Sequence, residues 1–156
     1  MARDGIMDEI DRRLLRDLQA NGRITNQELA QRNSLSPAAC HDRVRRLRDQ
    51  GYIKGYTAIL DPHKLDRSLM IFVEILLDRT TADLFDDFAA AVRRMPDVLE
   101  CHMVAGGFDY LIKARVKDME AYRQFLGDTL VRLPGVRETR TYAVLEEVKN
   151  TLSIPL

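Results

Sequence analysis

Apolar residues recur along this chain at two spacings, and the change from one to the other divides it. Between Asp8 and Asn21, Ile10, Leu14, Leu15 and Leu18 fall at helical spacing and Gly22 follows as a stop, so a first helix is predicted there. Thr25 and Glu28 match a capping box, in which each side chain satisfies the other residue's free backbone N–H. A second helix therefore starts at Asn26, buries a short face through Leu29 and Ala30, and ends near Arg32. A tight turn over Asn33-Ser34-Leu35 leads to Ser36 as N-cap and Pro37 at the first helical position, both favoured there. The third helix runs to Gln50, with Gly51 after it. Three short helices with a brief turn between the second and third are the helix-turn-helix plan.

After Gly51 the period shortens. Tyr52 to Leu60 reads as a strand, and Asp61-Pro62-His63-Lys64 breaks it into a linker. Leu69 to Leu77 is an apolar strand. Thr81 then opens a helix with Leu84, Phe85, Phe88, Ala89 and Val92 on one face, closed by Pro96. Strands Val98 to Val104 and Phe108 to Val116 form a hairpin across Ala105-Gly106-Gly107. A helix after Asp118 carries Met119, Tyr122, Leu126, Leu130 and Leu133, and Val136 to Val148 is a last strand. The order β-α-β-β-α-β is ferredoxin-like. A faint repeat supports it, since Met95-Pro96-Asp97-Val98 and Leu133-Pro134-Gly135-Val136 each close a helix and open a strand. The expected class is α+β: a winged-type helix-turn-helix domain over residues 1–60, a linker over 61–68 and a ferredoxin-like domain over 69–156. In the strand from Leu69, the residues Leu69, Ile71, Val73, Ile75 and Leu77 alternate with Met70, Phe72 and Leu76, so both faces are apolar. A homodimer that covers the second face is expected.

Composition agrees with a folded chain, at 46% apolar and 31% charged over 156 residues. Net charge is zero, but residues 1–56 hold 11 Lys and Arg against 8 Asp and Glu, leaving 13 against 16 for the remainder. That asymmetry points the N-terminal part at a polyanion. No apolar run reaches a membrane span and no signal peptide is visible, so a cytoplasmic location without membrane contact is expected. Cys40 and Cys101 are far apart and sit in no metal-ligand spacing, so neither a disulfide nor a metal site is expected.

The third helix carries the candidate chemistry. On a helical wheel Cys40, Val44 and Leu47 share one face, while Ala38, Asp42 and Arg45 lie opposite, flanked by His41 and Arg46. Arg43, Arg45, Arg46 and Arg48 concentrate positive charge on a helix placed as recognition helices are in a major groove. A solvated basic face is the plainer meaning of such a charge run, and Cys40 reads most simply as a small core residue. With the preceding caps, the candidate DNA-facing set is Thr25, Asn26, Ser36, Pro37, Ala38, His41, Asp42, Arg45 and Arg46, and the expected partner is double-stranded DNA.

Taken in order, Gly22-Arg23-Ile24-Thr25-Asn26, Leu35-Ser36-Pro37, Arg43-Val44-Arg45-Arg46-Leu47, Gly55-Tyr56-Thr57-Ala58, Gly106-Gly107-Phe108-Asp109-Tyr110 and Leu133-Pro134-Gly135-Val136 resemble the Lrp/AsnC family of transcription regulators over nearly the whole chain. The resemblance implies that dimers assemble further, to octamers or similar rings, and that an amino-acid effector, leucine or another, binds near the hairpin turn between dimers. It implies an effector set of Ala105, Gly106, Gly107 and Asp109, with Met103, Met119 and Tyr142 shaping the pocket. A glycine would let backbone amides approach a carboxylate, and an aspartate could receive an ammonium group. A plain hairpin turn with a strand-end cap accounts for the same residues. The chain departs from the usual family pattern at Asn33-Ser34, at Ala38-Ala39-Cys40-His41 and at Gly107.

Two other functions share this plan. Tetrapyrrole decarboxylases resemble it, but His41, His63 and His102 lie in separate segments and make no acid/base or metal constellation, so no catalytic residue, cofactor or enzymatic activity is expected. An architectural protein that wraps DNA with little sequence choice would also present many basic helices.

Overall fold

A computed structural model of the chain describes residues 7–78 and 81–156. They form two compact units: the residues up to Ile59 together with Lys149–Leu156, and Leu60–Val148.

The first unit is helical. Helix α1 (Glu9–Ala20) starts at Asp8, which accepts from the Asp11 N–H while the Asp11 side chain returns to the Asp8 N–H. This second capping box closes with aspartate where glutamate or glutamine is usual. Helix α2 (Asn26–Arg32) has the expected Thr25–Glu28 box, and α3 (Pro37–Asp49) has Ser36 capping the Ala39 N–H. Between them Ser34 takes the left-handed conformation, with φ 54°, while Asn33 caps α2. The core is small: Leu14, Leu29, Ala30 and Cys40 are buried, and Ile10, Leu18, Ile24, Leu35 and Val44 pack around them. The C-terminal segment joins this unit through Gln19, whose side-chain amide pairs both ways with the Ile154 backbone, at 2.6 and 3.0 Å.

The second unit is a four-stranded antiparallel sheet of β1 (Leu69–Leu77), β2 (Val98–Met103), β3 (Tyr110–Val116) and β4 (Val136–Ala143), in the order β2-β3-β1-β4. Helices α4 (Ala82–Val92) and α5 (Met119–Asp128) complete the β-α-β-β-α-β sequence. Ile71, Val73 and Ile75 of β1 and Tyr110, Ile112 and Ala114 of β3 form one buried layer with Phe88, Val92, Tyr122, Phe125 and Leu130. Phe88 stacks on Tyr110 with ring centroids 4.4 Å apart. Gly135 is required where it stands, because its φ is +68° and a Cβ would lie 2.5 Å from a Leu84 methyl.

Four expectations are corrected. Tyr52 to Leu60 forms no strand: it has no ladder partner among the described residues, and Tyr56, Ile59 and Leu60 are exposed. The last strand ends at Ala143, opposite Ile71, rather than at Val148; Val144 makes one further bond, to the Met70 carbonyl, and β1 starts at Leu69, so it offers no partner to the residues after Leu145. The hairpin strands stop at Met103 and start at Tyr110, with a longer connection between them. The helix after Asp118 stops at Asp128, and Leu130 is carried on a short 3-10 turn, Leu130–Arg132. Tyr122, as expected, and Phe125 supply the buried face there, whereas Met119 is exposed. The 61–68 segment contains a further 3-10 turn, His63–Leu65.

Candidate functional site

Helix α3 is fixed from two sides. Cys40 and Leu47 are fully buried, so Ala38, His41, Asp42 and Arg45 are turned outward and are exposed. Its first turn is tied to α2 by the Asn26 side-chain amide, which donates to the Pro37 carbonyl at 2.8 Å. Thr25 and Ser36 use their hydroxyls as caps, and Pro37 starts the helix. These four residues therefore shape the turn that presents α3. Arg45 reaches Asp42 at 2.9 Å, and both side chains remain largely exposed.

The other arginines of α3 do not share one environment. Arg43 bridges Asp8 at 2.7 Å and Asp11 at 2.8 Å, while Arg46 reaches the second Asp11 oxygen at 2.6 Å. Asp11 is completely buried, and with the Asp8 N–H on Oδ2 as well its carboxylate accepts from three donors. The Arg43 guanidinium, followed by the Asp11 N–H, holds the Asp8 carboxyl below its ordinary range. Arg46, grouped with the outward residues on the wheel, thus points its guanidinium back at α1. The signal was present in sequence, because Asp8 and Asp11 stand three apart before an apolar helix, the spacing of a cap.

The effector candidates divide across the sheet. Asp109 sits just before β3, and its Oδ2 accepts from the Leu77 N–H at 2.8 Å, which leaves Oδ1 for another donor. Ala105, Gly106 and Gly107 are exposed, neither glycine has a positive φ, and a Cβ on either would meet nothing within 4 Å. Within one chain, then, nothing approaches the backbone that these glycines leave bare. Met103 is paired with Tyr110, which places it on the helix-bearing side of the sheet. Tyr142 is paired with Phe72 on the opposite side, where its hydroxyl donates to Glu74 at 3.1 Å. Gly107 borders a shallow depression on that second side, lined also by Glu74, Leu76, Phe108, Glu138 and Arg140. One chain therefore does not bring Met103 and Tyr142 together.

Among the described residues no group of three His, Cys, Asp or Glu is placed to hold a metal, and no helix is long and apolar enough to cross a membrane. His102 lies 3.2 Å from Glu100, which also receives Lys113 at 2.9 Å, a surface pairing on the second side of the sheet. Burial pushes the Cys101 thiol up to about 11, which makes it a poor nucleophile.

Comparison with known proteins bears on both regions. Residues 7–54 match the model of the winged helix-turn-helix DNA-binding domain, and residues 70–154 match that of the Lrp/AsnC ligand binding domain. The leucine-responsive regulatory protein of Salmonella typhimurium is 58% identical over 145 residues, covering 93% of this chain and 88% of the relative. That of Escherichia coli K12 is 57% identical over the same span. Among solved structures, a transcriptional regulator of Neisseria meningitidis in complex with L-Met superposes with a TM-score of 0.92 at 40% identity, covering 96% of this chain and 97% of the other. The feast or famine regulatory protein of M. tuberculosis complexed with L-methionine gives 0.86 at 34% identity, covering 96% and 99%.

Proposed function

The chain belongs to the Lrp/AsnC family, and from that premise we propose how its parts divide the work of a DNA-binding transcription regulator. The relatives it matches are named as regulatory proteins and its two family matches are a DNA-binding and a ligand-binding domain, which favours a regulator over the decarboxylase reading. The reading of DNA belongs to α3. Ala38, His41, Asp42 and Arg45 meet the base edges, while Thr25, Asn26, Ser36 and Pro37 hold the turn that aims them. The observation that carries this is the burial of Cys40 and Leu47, which leaves those four side chains on the free face of a capped helix.

The effector is an amino acid with an apolar side chain, leucine or methionine being the first to test. Asp109 Oδ1 receives its ammonium group, the bare amides of Ala105 to Gly107 receive its carboxylate, and Met103 and Met119 supply apolar wall. Tyr142 lies on the opposite side of the sheet from Met103, so the two serve one site only if another copy of the chain supplies one of them. That geometry favours a site completed by assembly, in line with a homodimer whose sheets meet through Phe72 and Leu76, which are only half-buried in the single chain, and with an octamer built from four such dimers in the cytoplasm.

The test combines DNA binding with calorimetry. Arg45→Ala is expected to weaken operator binding by about 1–3 kcal/mol with the fold intact. Asp109→Ala is expected to abolish the heat of leucine or methionine binding, and the effector's influence on DNA affinity, itself about 1–3 kcal/mol, should vanish with it. Normal operator binding by Arg45→Ala would overturn the assignment of α3, and equal titration of wild type and Asp109→Ala would remove Asp109 from the site.

A further inference from the structure

Four arginines stand on α3, yet the structure gives them unequal freedom. Arg43 and Arg46 lie three residues apart on the side that meets α1, and both guanidiniums end on the two oxygens of one buried carboxylate. Arg43 is held additionally by Asp8. Two cations are thus matched by two anions before any phosphate is met. Arg45, Arg46 and Arg48 are all exposed on the same helix, but of these only Arg46 is tied to the buried Asp11, while Arg45 reaches the exposed Asp42 of its own helix.

We propose that Asp11 is a positioning residue for DNA recognition, acting through Arg43 and Arg46 to hold two cations of the recognition helix away from the phosphate backbone. The inference rests on the DNA-binding assignment of α3. Its physical basis is that phosphate contacts supply affinity without sequence information, whereas base-edge contacts supply the choice. A helix with four loose arginines would grip any duplex. Removing two of them from the phosphates lowers non-specific affinity and leaves Arg45 and its neighbours to decide between sequences. Burial makes the restraint strong, because an isolated buried carboxylate is costly unless its partners stay. It also fixes the rotation of α3 on α1, since both Asp11 oxygens must be met at once.

The slope of binding affinity against salt concentration tests this, because each phosphate neutralised contributes about 0.9 to the log–log slope on duplex DNA. Asp11→Asn keeps the side-chain shape but cannot hold two guanidiniums. On a duplex without an operator, its slope is expected to steepen by about 1 to 2, with affinity at 50 mM salt raised about tenfold and the operator preference reduced correspondingly. A merely structural role would weaken binding without steepening the slope, and Leu14→Ala in the same core provides that control. If Asp11→Asn does not fold, Arg43→Gln gives the second measurement. Its slope should equal that of wild type, because Arg43 is already neutralised; a slope shallower by about 1 would mean that Arg43 touches phosphate and would overturn the proposal. An unchanged slope in folded Asp11→Asn would overturn it too. A wild type that binds DNA with no salt dependence would instead sink the DNA-binding assignment itself.

Discussion

In the helical unit two polar side chains reach the interior, Asp11 at 0% and Asn33 at 3% exposure, whereas the buried residues described in the sheet unit are apolar or tyrosine. The helical core has four buried apolar residues in its central cluster and no aromatic ring; the sheet core has fourteen buried residues, with Phe88 stacked on Tyr110. Short helices present narrow apolar stripes, which slide and rotate against one another at little cost. Directional bonds remove that freedom. Asp11 ties α1 to α3, Asn33 ties the end of α2 to α1 through Asp17, and the Asn26 amide ties α2 to α3. A sheet fixes its own register through the backbone, so its interior can be plain hydrocarbon. The unit that must aim side chains at a partner is the one held by polar cross-ties.

The contrast is broken most severely by emptying the sheet core. Phe88→Ala is expected to destabilise the sheet unit by about 3–5 kcal/mol, through lost transfer energy and a cavity beneath Tyr110. Urea unfolding combined with amide hydrogen exchange would locate the loss on β1 and β3. An equal loss on α2 would remove the distinction between the units.

A smaller effect is expected from one cross-tie in the helical unit. Asn33 donates to Asp17 at 2.8 Å and to the Leu29 carbonyl at 3.0 Å. Asn33→Ala leaves both acceptors without that donor and is expected to cost about 1–3 kcal/mol, read as faster exchange in α1 and α2. No change there would mean that apolar packing alone sets the helix arrangement.

Elements with strong punctuation were legible in the sequence. Ser36-Pro37 and Gly51 delimit α3 to within a residue, and the apolar run Leu69 to Leu77 coincides with β1, because caps and continuous burial are local signals. The failures came where structure depends on a partner. Tyr52 to Leu60 has the composition of a strand but no ladder to join within the described chain, and the segment after Ala143 outlasts its neighbour. At the site, the wheel sorted Cys40 and Leu47 from Arg45 correctly. It could not show that the Arg46 guanidinium folds back, because a long side chain ends far from the direction of its Cβ. Nor could spacing reveal that Met103 and Tyr142 lie on opposite sides of the sheet, since that follows only from the strand register.

Acid should separate the two units most gently. The Arg43 guanidinium depresses the Asp8 carboxyl, and in the sheet unit Lys113, followed by His102, depresses that of Glu100. For a carboxyl whose folded value lies below its unfolded one, the stabilisation is complete above the unfolded value, about 4, and disappears as pH falls through the folded value. Each unit should therefore loosen below about pH 4, not between pH 5 and 8. Both side chains are nearly half exposed, at 48% and 44%, so solvent screening keeps each contribution under about 1 kcal/mol. Asp8→Asn separates them, because asparagine caps a helix as well as aspartate does and retains an oxygen for the Asp11 N–H, but it does not titrate. Hydrogen exchange at pH 3.5 relative to pH 6 should then show less acid loosening in α1 and α3 than in wild type, with β2 and β3 unchanged. If the variant loosens in α1 as much as wild type does, the acid response of the helical unit comes from another carboxylate, and the Asp8–Arg43 pair adds nothing measurable to its stability.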